Sequence, residues 1–200
     1  MSATYRAAGS LIVTSLAIMG TPGPATISLT AAGSAYGVRR SLGYLTGIIA
    51  GTTTVLVAVA TGITAALLAL PAVRPVLIGA GAAYIIWLAY HIATAEPLSG
   101  QPADSNAPGL VGGTLLGVAN PKAWVAIAAV FASARLTDDA AVDAAGKLAV
   151  LTIMIVLINT MWLAAGASMS PLLRDPRRAR SINRALAAVL VAAAAATVIH

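Results

Sequence analysis

Thr21-Pro22-Gly23-Pro24 lies inside an apolar run extending from about Leu11 to Ala35. Two prolines around a glycine remove two backbone donors and add the most permissive residue, so no unbroken helix passes through. The flanks, 11–20 and 25–32, are apolar enough for a bilayer. With the break they make roughly 25 residues, sufficient to cross a hydrocarbon core of about 30 Å. A break at membrane depth exposes carbonyls and amides, which lipid tolerates only where the backbone is buried in protein or lines a cavity. The run is therefore read as one interrupted membrane span, with the rest of the chain built around a cavity at the interruption.

The composition agrees. Of 200 residues, 59% are hydrophobic and only 9% charged, and the mean hydropathy is +0.90, well outside the range of soluble domains. The sequence thus predicts a single integral membrane domain over residues 1–200, with lipid as its surroundings. A net charge of +6 would suggest nucleic acid in a soluble protein; in a membrane protein basic residues gather at the cytoplasmic leaflet, and no nucleic-acid partner is expected. There is no cysteine, hence no disulfide, thiolate metal site or thiol catalysis. The chain also lacks a phosphate-binding loop for ATP hydrolysis. The N-terminal run is too long and too interrupted for a signal peptide and is read as retained.

Outward from the break, six spans are expected. The first covers about 8–36, and Gly37-Val38-Arg39-Arg40-Ser41 forms a short basic turn. The second covers about 42–70 and carries Gly43, Gly47 and Gly51 on one face, where another helix can come close. After Pro71-Ala72-Val73-Arg74-Pro75, the third covers about 76–95, with Tyr84, Trp87, Tyr90 and His91 at an interfacial belt. Residues 96–108, polar and proline-rich, read as a linker. The fourth span, about 109–134, is interrupted at Asn120-Pro121-Lys122. Asp138, Asp139 and Asp143 mark an exposed acidic loop, with Lys147 beyond it. The fifth and sixth spans cover about 148–168 and 182–199.

On this count one side of the membrane holds seven basic residues (Arg39, Arg40, Arg174, Arg177, Arg178, Arg180, Arg184) and the other four (Arg6, Arg74, Arg135, Lys147). The more basic side is cytoplasmic, which places both termini outside the cytoplasm. Each half, about 8–95 and 109–200, has three spans, and in each the first is broken by proline. An odd number of spans makes the halves enter the bilayer from opposite sides. The expected fold class is thus an all-α membrane protein of six helices in two inverted three-helix repeats, whose broken helices meet near the midplane.

Lys122 is the one ionisable residue expected deep in a span, at a cost of roughly 2.5–3.5 kcal/mol at a helix centre. No Asp or Glu lies in a predicted span to pair with it. Its partner is then either an anionic substrate or carbonyls freed at a break, such as those near Pro22 and Pro24. An amino acid suits these pieces: Lys122 and helix N-terminal amides for its carboxylate, helix C-terminal carbonyls for its ammonium. Thr21, Thr26, Tyr44, Asn120 and Asn159 could add hydrogen bonds, unless Asn120 only caps the broken helix.

These features resemble the lysine exporter (LysE/RhtB) family of bacterial efflux proteins. The likeness rests on Thr21-Pro22-Gly23-Pro24, the glycines from Gly37 to Gly51, Gly81-Ala82-Ala83-Tyr84-Ile85-Ile86-Trp87-Leu88, Gly117-Val118-Ala119-Asn120-Pro121-Lys122-Ala123 and Arg180-Ser181-Ile182-Asn183-Arg184. It spans essentially the whole chain, departing at Ala89-Tyr90-His91 and in the alanines of the last span. The resemblance implies a six-span inner-membrane secondary exporter of amino acids or similar small metabolites, working as a homodimer. It puts functional weight on Pro22, Gly23, Pro24, Asn120, Pro121 and Lys122. The substrate-binding set expected from both arguments is Thr21, Pro22, Gly23, Pro24, Tyr44, Asn120, Pro121, Lys122 and Asn159, with no cofactor and no metal. Metal efflux and an accessory role in lipid or glycolipid export are the alternatives. Two histidines and no cysteine are poor ligands for a transition metal, and no nucleophile or paired-carboxylate constellation in the spans suggests an enzyme.

Overall fold

The computed structural model describes residues 2–62 and 108–168, and singly or in short runs residues 79, 83, 86, 89–90, 93–94, 177, 180–182, 184–185, 187–189 and 191–192. Tyr84, Trp87, His91, the 96–107 part of the linker and most of the third and sixth expected spans lie outside the described residues. Among those described, regular structure is helical throughout: α1 (Ser2–Met19), α2 (Pro24–Ala60), α3 (Leu110–Ala119), α4 (Pro121–Ser133) and α5 (Ala140–Ser168). By length and apolarity α2 and α5 can each cross a membrane, and α3 with α4, bent by 59°, forms a third candidate span.

The first expected span is broken as its prolines dictate. Helix α1 stops at Met19, and α2 restarts at Pro24. Gly23, extended as the residue before a proline tends to be, caps the new helix. Thr26 Oγ1 accepts the Gly23 N–H (2.8 Å) and donates to its carbonyl (3.1 Å). Proline at the first helical position sacrifices no hydrogen bond.

The turn after this span is tighter than the expected 37–41. It is concentrated at Gly37, whose φ of 73° suits a residue without a Cβ, and helix resumes at once. Ser41 Oγ donates to the Ala32 carbonyl at 3.1 Å. Nine residues of straight helix would hold these about 13 Å apart, so the chain folds back at Gly37. Arg39 and Arg40 sit exposed beside the corner.

Every residue from Pro24 to Ala35 is buried, which makes this segment the centre of the molecule. Its hydroxyls cost little there because each donates within its own helix: Ser28 to Ala25, Thr30 to Thr26, Ser34 to Ala31. Around it the helices approach through small residues. The predicted glycine face of α2 meets a second one on α3. A Cβ on Gly47 would strike the Leu110 carbonyl, one on Gly113 the Tyr44 carbonyl, and one on Gly117 the Ile48 carbonyl at 2.7 Å. Gly33 and Gly166 set the crossing of α2 and α5 in the same way, against Leu163 and Thr30. In lipid such contact, rather than the expulsion of water, holds helices together.

The acidic loop is reorganised relative to expectation. Asp139 Oδ1 accepts the N–H groups of Ala141 (2.9 Å) and Val142 (3.0 Å), so α5 begins at Ala140, eight residues before the expected 148. Asp143 then falls in the first helical turn, accepts from the Leu136 N–H (2.6 Å), and pairs with Lys147 one turn on (2.8 Å). Lys147 is buried, with its ammonium 4.9 Å from the Phe131 ring centroid. Asp143 therefore belongs to a helix rather than to an exposed loop, and Lys147 is a buried cation while Lys122 is only partly buried.

Candidate functional site

Two helix breaks in apolar surroundings leave backbone groups that need partners, and those partners define the site. At the end of α1, Thr21 Oγ1 donates to the Ile18 carbonyl (2.8 Å). The Trp162 indole, from α5, donates to the Gly20 carbonyl (3.3 Å). Lys122 Nζ, from the other break, donates to the Thr21 carbonyl, to Thr21 Oγ1 (2.6 Å) and to the Pro22 carbonyl (3.2 Å). An ammonium has three donors, and all three are used. Of the two partners the sequence left open for Lys122, the freed carbonyls hold it here. Gly23 makes this reach possible, since a Cβ there would fall 2.6 Å from Lys122 Cδ.

The second break is a single residue. Asn120 ends α3 and starts α4 with φ −73° and ψ 106°, the region to which a residue before proline is confined. Trp124 Nε1 donates to the Val118 carbonyl at 2.7 Å, so an indole serves each break. The Asn120 side chain makes no capping bond. Its Oδ1 is buried without a partner, which removes the reading of Asn120 as a mere cap.

The two breaks face one cavity of about 50 Å³. Met19, Gly23, Ala25 and Thr26 line it from the first break, and Thr52 from the returning arm of α2. Asn120, Lys122, Ala123, Ala126 and Ile127 form the wall of the second break; Ile155, Ile158 and Asn159 close it from α5. Asn159 donates through Nδ2 to the Ile155 carbonyl (2.8 Å), which fixes the direction of its carboxamide and leaves Oδ1 buried and unpartnered.

Gly23, Asn120, Lys122 and Asn159 thus come together on the cavity, and Thr21 and Pro22 join them through the Lys122 bonds. Pro24 and Pro121 shape the breaks as first helical residues without lining the cavity. Tyr44 does not reach it. Fully buried, Tyr44 packs with Leu29, Ile48, Leu116 and Leu163 in the core between α2, α3 and α5. Sequence reasoning missed Thr52, Ile155 and Ile158, whose places depend on which helix faces turn inward. It also missed both tryptophans, although for Trp124 an indole N–H within a few residues of a predicted break is a usable signal.

The family model of the LysE type translocators matches residues 16–200. The chain belongs to that family. Its members are membrane transporters rather than enzymes. Among curated proteins, the chain is 39% identical over 84 residues to a cysteine/O-acetylserine efflux protein of Klebsiella pneumoniae subsp. pneumoniae, covering 41% of this chain and 42% of that protein. It is 41% identical over 88 residues to the proteins of the same description in Salmonella choleraesuis and Salmonella typhimurium, covering 44% of this chain and 42% of each. The chain therefore matches less than half the length of these relatives. No solved structure matches it at a significant level.

Proposed function

We propose that this chain is a secondary transporter that exports amino acids or related small zwitterions, holding its substrate between the two broken helices near the bilayer midplane. The observation that carries the proposal is the reach of Lys122 from the second break to the carbonyls of the first, across the wall of a cavity with polar and apolar faces. The efflux of cysteine and O-acetylserine named for the relatives supports the same substrate class for this chain.

Lys122 is the cation lining the cavity. A substrate carboxylate competes with Thr21 and Pro22 for its three donors, and a charge-assisted bond to an anion is stronger than one to a carbonyl. The exchange loosens the tie between the breaks. At about 50 Å³ the cavity has room for a few waters only, so the substrate enters as the breaks part, and closure behind it restores the lysine to its carbonyls. Six spans in two inverted repeats, residues 8–95 and 109–200, would expose the cavity to each side in turn. The inner membrane, extracytoplasmic termini and a homodimer complete the proposal.

Cells with the gene deleted or overexpressed, preloaded with mixed dipeptides, test this reading. Overexpression is expected to raise external cysteine or O-acetylserine, and deletion to lower it. No change in any amino acid, together with an altered envelope lipid profile, would overturn export in favour of the accessory role.

A further inference from the structure

Resting on that reading, we propose that the carboxamide oxygens of Asn120 and Asn159 form the subsite for the substrate's ammonium group. Through it the cavity selects small neutral amino acids and excludes those with a cationic side chain.

Four carbonyls of the first break, obvious acceptors for an ammonium, already accept from the protein: Ile18 from Thr21, Gly20 from Trp162, Thr21 and Pro22 from Lys122. Two of the residues lining the cavity carry instead a buried carboxamide oxygen, Asn120 Oδ1 and Asn159 Oδ1, without a partner among the described residues, on side chains only 5% and 6% exposed. A buried acceptor left unpaired is costly, so a matching donor gains more there than in water. A ligand that satisfies these oxygens has to donate. Lys122 cannot supply both oxygens, because its donors point to the other break. A primary ammonium carries three donors, enough for both carboxamides, while the carboxylate of the same molecule turns to Lys122.

The remaining walls set the side-chain class. Met19, Ala123, Ala126, Ile127, Ile155 and Ile158 are uncharged and mostly short or branched. A second ammonium would meet no carboxylate among the residues lining the cavity and would be repelled by Lys122. Among the described carboxylates, Asp143 on α5 is committed to Lys147 and the Leu136 amide.

The test is counterflow in liposomes holding purified protein. It compares L-cysteine with 3-mercaptopropionate, which lacks the amine, and with L-lysine. Wild type is expected to move L-cysteine about tenfold or more faster than either, the scale of one charge-assisted bond. Asn159→Leu keeps the branched four-atom outline of the side chain and removes the acceptor; it should move L-cysteine and 3-mercaptopropionate at similar rates. Asn159→Asp, equally small, should retain L-cysteine and begin to move L-lysine. Reconstituted protein is matched by size-exclusion yield, and Asn120→Leu serves as the second variant. Wild type that moves both three-carbon acids equally, or leucine variants that still prefer the amine, would overturn the ammonium subsite while leaving the carboxylate reading intact. Wild type that moves neither would overturn both.

Discussion

The two helix breaks are built from similar sequence and end in opposite chemical states. The break between α1 and α2 spans residues 20–23, and its carbonyls are filled by a hydroxyl, an indole and an ammonium from within the protein. The break between α3 and α4 is one residue wide, and its polar side chain is left with an empty acceptor. The first is tied up by the protein itself; the second keeps a buried acceptor without a partner among the described residues. A lysine spans the difference. The geometry places the cation on the second break and its acceptors on the first, so an anion that captures the lysine acts on both at once.

The largest expected effect comes from removing that link. Lys122→Ala strands three acceptors and deletes the cavity's cation, and transport should fall about a hundredfold, the scale of the roughly 2–3 kcal/mol carried by a hydrogen bond to a charged group. Lys122→Arg should also be impaired, since a planar guanidinium does not reproduce three bonds from one nitrogen. Initial rates in liposomes at matched protein check this, and wild-type rates in either variant would erase the contrast between the breaks.

Gly23→Ala comes next, with a loss of about tenfold, because the new methyl pushes Lys122 off the first break without removing its charge. The double variant with Lys122→Ala should be no slower than Lys122→Ala alone, since both changes act on one interaction. Additive losses would mean that Gly23 serves some other purpose.

How much of this was legible beforehand follows from what is local. Proline removes a donor and restricts its predecessor wherever it stands, so both breaks could be read from Pro22, Pro24 and Pro121. The close-packing face of Gly47 and Gly51 followed from helical spacing alone, and a lone lysine in apolar sequence marks itself. The partners were not local. Lys122 contacts residues a hundred positions away, and Asn159 reaches the cavity while Tyr44 does not because of how α2 and α5 cross. The burial of Lys147 was missed for a smaller reason: a capping bond from Asp139 starts α5 at Ala140 and carries the lysine into the helix. Tyr84, Trp87 and His91, expected at an interfacial belt, lie outside the described residues.

The smallest effects compare the two indoles. Trp162→Phe and Trp124→Phe each leave one carbonyl without its donor, at about 1–2 kcal/mol. Trp124→Phe is expected to lower the unfolding temperature in detergent more, because its bond is 2.7 Å rather than 3.3 Å. The reverse order would shift the structural weight to the first break.

The most direct measurement of the central claim uses the absence of cysteine from the chain. Ala126→Cys puts a single thiol on the cavity wall, and Val125→Cys puts one on the exposed face of the same helix. Labelling of each with a small thiol reagent is followed in liposomes with and without O-acetylserine. If substrate sits between the breaks, it should slow labelling at Ala126→Cys several-fold and leave Val125→Cys unchanged. Equal labelling at Ala126→Cys in the presence of a solute that the protein demonstrably transports would contradict the account.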